Sequence, residues 1–398
     1  MSDNPRFLQI HTLTGYAASL LNRDDVGAAK RLPFGGAERT RISSQCLKRH
    51  LRMDTGDWSL KTLGAPMSIR SRLIFRTRVA QPLVDEGRDP ASVVAVVEPL
   101  MAVLLGRSDK AEKEDKGSRG KAKAAAEGAD PLDRLETDQL IVLGQPEIDF
   151  VRKTAGDLLA QGGDVAEVRE RVSVFLKDRK AMENIKSLAR ACGLDAAMFG
   201  RMVTSDMLAR GDAAVHVAHA FTVHRQESEP DYFTAVDDLQ LETGEQGSAH
   251  INQTELTSGL FYGYYVIDLA KLIENLGGDG DLAGNVVQRF VHLVSSVSPG
   301  AKLGSTAPYS YADLLMIESG RRQPRSLANA FHTPVPAEGV RIKALGALGQ
   351  HLAHFDAMYG PPEARRVAAM EDTAAVLGQR MPLAALSDWA LAEAKRAA

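Results

Sequence analysis

Near the start of the chain, RFLQIHTLTG brings Phe7, Leu8 and Ile10 into near-alternation with polar positions, which predicts a first strand, and the polar LNRDD after it reads as a loop. From Phe34, FGGAERTRI continues as a strand on which Arg39 and Arg41 share one face and Ile42 takes the other. Ser43 or Ser44 then caps a helix. In that helix Gln45, Lys48, Arg49 and Arg52 recur at i, i+3, i+4 and i+7 as a polar stripe, opposite Cys46, Leu47, His50 and Leu51. Helical spacing returns at 89–105 and 145–192. In DAAVHVAHAFTVHRQ the period drops to two, with Val215, Val217, Phe221 and Val223 on one parity. A further strand, aromatic and β-branched, covers 260–269. Between them DLQLETGEQGSAHINQTEL is polar and poor in core material, so 241–255 is expected to protrude as a hairpin or arm. A helix over 285–297, a Gly-bearing loop SPGAKLGST, a strand over 311–317 and a helical C-terminal part complete the pattern. Strands separated by helices and large insertions predict an α+β sandwich rather than a continuous parallel sheet.

With 398 residues the chain exceeds the size of one ordinary core, so one elaborated domain or two lobes is expected. Its 44% hydrophobic and 25% charged residues belong to an ordinary globular protein. Cys46 and Cys192 are the only cysteines, which excludes a disulfide framework and a Cys-rich zinc site and predicts a reducing compartment. MSDNPRFLQI holds no apolar signal core, and the longest apolar run, 93–106, is interrupted by Glu98 and Pro99 and too short to span a bilayer. The expectation is a cytoplasmic protein with no membrane partner. Residues 106–131 contain few large apolar side chains and both signs of charge, as in a solvated or disordered loop within a helical lobe. Lys116, Arg119, Lys121 and Lys123 in that loop are a second place where nucleic acid would find charge.

Charge changes the picture at one end. Residues 1–80 carry 14 Lys/Arg against 6 Asp/Glu, in a chain whose formal net charge is −3. A solvated helix face accounts for the stripe of Lys48, Arg49 and Arg52 in the ordinary way. A phosphate cradle accounts for it as well, because free N–H groups at a helix start and guanidinium groups on the preceding strand both favour anions. The other constellations carry less. His216, His219 and His224 have mixed parities and no carboxylate or cysteine at metal-ligand spacing. The pairs Asp24-Asp25 and Asp237-Asp238 point their neighbours in different directions, so neither pair is a metal site by itself. NLGGDGDLAGN lacks the lysine of a phosphate loop and the ligand series of a calcium loop.

LNRDD (21–25), FGG (34–36), RISSQCLKR (41–49), GRMVTSDM (200–207), YFTAVDDLQ (232–240), QGSAH (246–250) and PGAK (299–302) occur in this order, and the ordered set resembles the CasC family. That family supplies the repeated backbone subunit of the type I-E CRISPR Cascade complex. The resemblance implies an α+β fold shaped like a right hand. An RRM-like, ferredoxin-like palm would comprise 1–80 and 200–398, with a thumb hairpin at about 235–260. A helical fingers insertion would occupy 81–199 and contain the loop at 106–131. It implies a non-catalytic subunit without cofactor or metal that oligomerises along a guide RNA. Its partners would be the crRNA, target DNA through the guide, other copies of itself and other Cascade subunits.

By the same resemblance Arg23, Ser43, Gln45, Lys48 and Arg49 contact the guide backbone, Met202 acts as an apolar wedge against a base, and Lys302 contacts a phosphate. Arg41 joins them from its strand face and Arg52 from its place on the helix stripe. Met202 also reads as a core methionine and Lys302 as a solvated lysine. No stretch matches the aromatic RNA-reading motif of sequence-specific RRMs, and Phe261, Tyr262, Tyr264 and Tyr265 read as strand core. A subunit that holds guides of any sequence needs contacts to phosphate and sugar. The alternative is a metal-dependent endoribonuclease on the same fold, using Asp24, Asp25, Asp237 or Asp238.

Overall fold

The computed structural model describes residues 4–105, 130–180, 183, 193–200, 212–236, 248–361 and 364–398. They form two compact units, one of Met1–Leu63 with Val215–Ala398 and one of Gly64–Ala214. The first unit is built on a large, mostly antiparallel sheet. Its central strand, β1 (Phe7–Ser19), lies between β9 (Ser248–Asp268) and β10 (Ala312–Gly320), and both pairings are antiparallel.

Alternate residues of these strands serve two cores. Leu13, Tyr262, Leu314 and Met316 pack with Ala344, Leu345, Leu348 and Leu352 of a long helix at Val340–Tyr359. On the opposite parity Tyr265 meets Phe290 edge-on, and Ser319 donates to Glu393 across 2.5 Å. Phe290 and Glu393 belong to helices at Gly280–Ser296 and Leu383–Arg396. Helices therefore cover both faces of the central strands. Phe261, Tyr262 and Tyr265 are buried as strand core, whereas Tyr264 is half-buried, stacked on His11 with its hydroxyl donating to Gln9 Oε1 at 2.8 Å.

Gly35-Gly36 does not extend a strand as the sequence pattern suggested. Both residues have positive φ (61° and 71°) and form the two-residue turn between β2 (Arg31–Phe34) and β3 (Ala37–Ile42). A Cβ on Gly35 would stand 1.5 Å from the His332 carbonyl oxygen, so the turn also needs glycine for close approach. β3 leads into α1 (Ser44–Met53), whose N-cap is Ser43, accepting from the Cys46 N–H at 3.3 Å. Leu47 and Leu51 are the buried residues of α1, so its apolar stripe is the one packed inward.

The segment expected as one returning strand is two short ones, β6 (Val215–Val217) and β7 (Ala220–Thr222), both paired with β9. Of the arm expected at 241–255, residues 241–247 lie outside the described residues, and the strand pairing that leads to it starts upstream. β8 (Glu227–Val236) runs antiparallel to the first half of β9, pairing Glu227 with Ser258 and Val236 with Ser248. The C-terminal part is not wholly helical, because β11 (Ala364–Ala369) extends the sheet beside β10, and β12 (Gln379–Arg380) runs parallel to it. Its sequence, ARRVAA, is rich in helix formers, and edge pairing overrides that preference.

The second unit contains a β4–β5 ladder (Ser68–Ser71 with Ile141–Gly144) and helices at Pro90–Leu104, Gln145–Ala160 and Val165–Lys177. The last two are separated by Gly162 and Gly163 at positive φ, and Asp164 with Glu167 forms a capping box that restarts the helix. The unit begins at Gly64, upstream of the expected insertion start at 81, for two reasons. Strand β4 pairs only within it, and Ile74, Phe75, Val79 and Ala80 are buried in its core with Val93, Val97 and Leu135. Of the loop expected at 106–131, residues 106–129 lie outside the described residues, and Asp130 and Pro131 already begin a short helical turn, Pro131–Leu135, capped by Asp130.

Candidate functional site

The basic stripe and the strand before it form one polar surface of the first unit. Gln45 and Arg49 are exposed on α1, and Lys48 and Arg52 are half-buried beside them. Burial draws the Lys48 ammonium below its ordinary pKa. Burial also pushes the Cys46 thiol up, against the opposing pull of Lys30 and Arg49, so this cysteine is a packing residue rather than a nucleophile.

At the start of α1, His219 Nδ1 lies 3.3 Å from the Ser44 N–H and 3.2 Å from Arg41 Nη1. Partial burial, with Arg41 and Lys30 nearby, lowers the His219 pKa, so the imidazole is neutral and accepts at Nδ1. Arg41 Nε donates to the Arg31 carbonyl at 3.1 Å, which fixes the base of its side chain. Asp24, Asp25, Ala29, Lys30, Arg31 and Arg41 line an open groove of about 480 Å³. Asp24 is part of the loop frame, since its Oδ1 accepts from the Val26 and Ala28 N–H groups at 3.1 and 2.9 Å.

Glu255 ties the hairpin strand β9 to this groove. Its carboxylate accepts from the Ala29 N–H at 2.7 Å and from Arg31 Nη2 at 2.5 Å, with Gln226 Nε2 at 3.3 Å. One residue earlier, Thr254 Oγ1 accepts from Lys302 Nζ.

The predicted residues fall into several places. Arg41, Gln45, Lys48, Arg49 and Arg52 belong to the strand end and helix face just described. Arg23 is exposed in the loop beside the groove, where it bridges to Ala29. Ser43 is buried, and its hydroxyl caps α1. Lys302 reaches the neck of the hairpin. Met202, Asp237 and Asp238 lie outside the described residues. Arg39, expected to share a phosphate-facing strand surface with Arg41, is fully buried and turned to backbone carbonyls instead.

Sequence reasoning did not select Lys30, Arg31, His219 or Glu255. Lys30 and Arg31 stood in the open as a basic pair directly before a strand. His219 and Glu255 meet their partners only through the fold. The three histidines do not converge. His216 is exposed, whereas His224 is buried, donating from Nδ1 to the Arg225 carbonyl and accepting at Nε2 from the Leu260 N–H. Among the described residues no group of three or more His, Cys, Asp or Glu side chains is arranged to hold a metal ion. The arrangement presents cations, amides and a neutral imidazole in a shallow surface, which suits a flexible polyanion.

The model of the CT1975-like protein family matches residues 8–394. A solved chain described as "CRISPR RNA-guided surveillance complex, pre-nicking" is 30% identical, with a TM-score of 0.78, and the match covers 98% of this chain and 100% of that one. Another, described as "CRISPR RNA-guided surveillance complex", is 26% identical with a TM-score of 0.70, covering 97% of this chain and 99% of that one. No curated protein matches the sequence.

Proposed function

The chain belongs to the CT1975-like protein family, and from that premise we propose that it is a non-catalytic, crRNA-binding backbone subunit of a CRISPR surveillance complex. The observation that carries this reading is the end-to-end likeness, at 30% identity, to a chain of an RNA-guided surveillance complex. The exposed basic face of α1 and the adjoining groove support it chemically.

Several copies would follow the guide, each holding phosphate and sugar and leaving base edges available to target DNA. Coverage of both faces of the central strands favours contact by α1 and the groove over base stacking on the sheet. The ordered motifs extend the proposal to the type I-E CasC subtype in the cytoplasm. The first unit would then be the RRM-like palm, the β8–β9 hairpin the thumb, and other Cascade subunits and further copies its partners.

Lys48→Ala combined with Arg49→Ala should weaken binding to unrelated single-stranded RNAs by similar factors, roughly tenfold or more. It should also flatten the log–log salt dependence by roughly 1.4, the share of two phosphate contacts on a single strand. Filter binding over a salt series measures both. A loss confined to one RNA sequence would sink the backbone-contact reading. Incubating the protein and labelled guide RNA with Mg²⁺ or Mn²⁺ separates this reading from a metal-dependent endoribonuclease, because specific cleavage products would favour the enzyme.

A further inference from the structure

The β8–β9 hairpin leaves the sheet at a neck made of polar ties. The β1–β9 ladder is regular from Phe7 to Tyr16 and then shifts register before Ser19, with Ala18 at a positive φ of 44°. At this break Thr257 Oγ1 donates to the Ser19 carbonyl at 2.8 Å and the Ala18 N–H donates to Ser258 Oγ at 2.9 Å. Lys302 holds Thr254 on one side of the neck, and Glu255 holds Ala29, Arg31 and Gln226 on the other. Polar contacts of this kind exchange partners readily, unlike interlocked apolar packing.

Arg31 in this collar serves two surfaces. Arg31 is 38% exposed, lines the groove, and faces Glu38 at 3.6 Å as well as Glu255. Glu255 itself is only 14% exposed, so its carboxylate stands behind Arg31, away from the open side. A phosphate entering the groove meets a guanidinium already engaged by the hairpin.

We propose that Glu255 is a positioning residue that latches the β8–β9 hairpin to the groove through Arg31, so that guide phosphate and hairpin compete for one guanidinium. This rests on the reading that the groove binds the RNA backbone. The consequence is a linkage: RNA in the groove loosens the hairpin neck, and a hairpin engaged elsewhere frees Arg31 for RNA. Such a latch would hold the base of the hairpin to its own groove until a guide is present.

The test compares the parent protein with Glu255→Ala, Glu255→Gln and Arg31→Ala combined with Glu255→Ala. The probes are a short single-stranded RNA that fits one copy and a long RNA that accepts many. Releasing Arg31 should tighten short-RNA binding about three- to tenfold and steepen its log–log salt slope by roughly 0.7, the share of one added phosphate contact. The double variant should lose that gain. On the long RNA the unlatched hairpin should lower the regularity of assembly, seen as loss of even subunit spacing by negative-stain imaging.

A weaker short-RNA affinity at unchanged slope, a gain that persists without Arg31, or unaltered assembly would each overturn the proposal. Glu255→Gln keeps an acceptor for the Ala29 N–H without the charge. If neither single variant folds, Glu255 is a stability residue and the latch is refuted. Failure of the parent protein to bind RNA at all would instead overturn the functional reading itself.

Discussion

Replacing Arg39 by alanine should leave little folded protein. The Arg39 side chain is completely buried, and its guanidinium donates to five backbone carbonyls: Phe34, Thr222, His224, Phe331 and His332, at 2.9–3.5 Å. No carboxylate accompanies it in these contacts. Burial and the neighbouring Arg225 draw its pKa down, yet a guanidinium stays charged under ordinary conditions. The carbonyls come from the β2–β3 turn, from β7 and the residues after it, and from the segment that precedes the long helix. Arg39 therefore ties β2 and β7, which already flank β3 in the sheet, to the segment before the long helix. Truncation would strand these acceptors in a dry site and cost on the order of 4 kcal/mol, a large share of a domain's total stability. Arg39→Lys should recover only part of the loss, because an ammonium lacks the planar fork that reaches carbonyls on opposite sides. Thermal melting of the soluble fraction measures this. A variant that melts with the parent would show that the carbonyls find other donors.

Arg39 also marks where reading the sequence ends. The two-residue period correctly grouped it with Arg41 on one strand, but side-chain parity does not say which cations reach solvent. Its partners lie up to 293 positions away, and all are backbone oxygens, which carry no residue-type signal. The α1 stripe was legible for the opposite reason. A helix that buries Leu47 and Leu51 must present Gln45, Lys48, Arg49 and Arg52 elsewhere, and Ser43 caps it through local geometry alone. The core role of Phe261, Tyr262 and Tyr265 could likewise be read from the strand pattern. The partners of the groove could not, because His219 and Glu255 reach Arg41 and Arg31 only through long-range strand pairing, although the lining itself, Asp24 to Arg41, is local in the chain. β11 was hidden by alanines whose local preference points to helix, and the earlier start of the second unit by a β4–β5 ladder between segments 70 residues apart in the numbering.

A buried charged cluster on β10 gives the second strong expectation. Glu318, 1% exposed on β10, accepts from Arg325 Nη1 and Nη2 at 2.5 and 2.9 Å and from Arg365 Nε at 2.9 Å. Arg365 also forms a two-pronged pair with Asp356, at 2.9 and 3.0 Å, and Arg325 lies over the Phe355 ring. His11 completes the cluster, with Nε2 3.4 Å from Glu318 and Nδ1 2.8 Å from the Tyr262 hydroxyl. Burial alone would raise the Glu318 pKa, but the hydrogen bonds and charge of Arg325, with the His11 imidazole beside them, outweigh it and hold the carboxyl far below the usual carboxylate range. Burial lowers the His11 pKa, and the imidazole is neutral in the fold.

Glu318→Gln should lower stability near neutral pH by on the order of 3 kcal/mol, because Arg325 and Arg365 lose the charge that compensates their burial. The sign of the pH dependence follows from the depressed carboxyl. Its stabilisation is complete above the unfolded-state pKa of about 4.3 and is lost progressively as pH falls towards the folded value. His11 adds a loss below about pH 6.5, where the unfolded chain takes up a proton that the fold refuses, and it does so in both proteins. The gap between parent and Glu318→Gln should thus hold from about pH 7 to about pH 5 and close at lower pH. Melting temperatures that keep a constant offset down to about pH 3 would mean that Glu318 titrates as an ordinary surface carboxylate, and that the two arginines are held by something other than its charge.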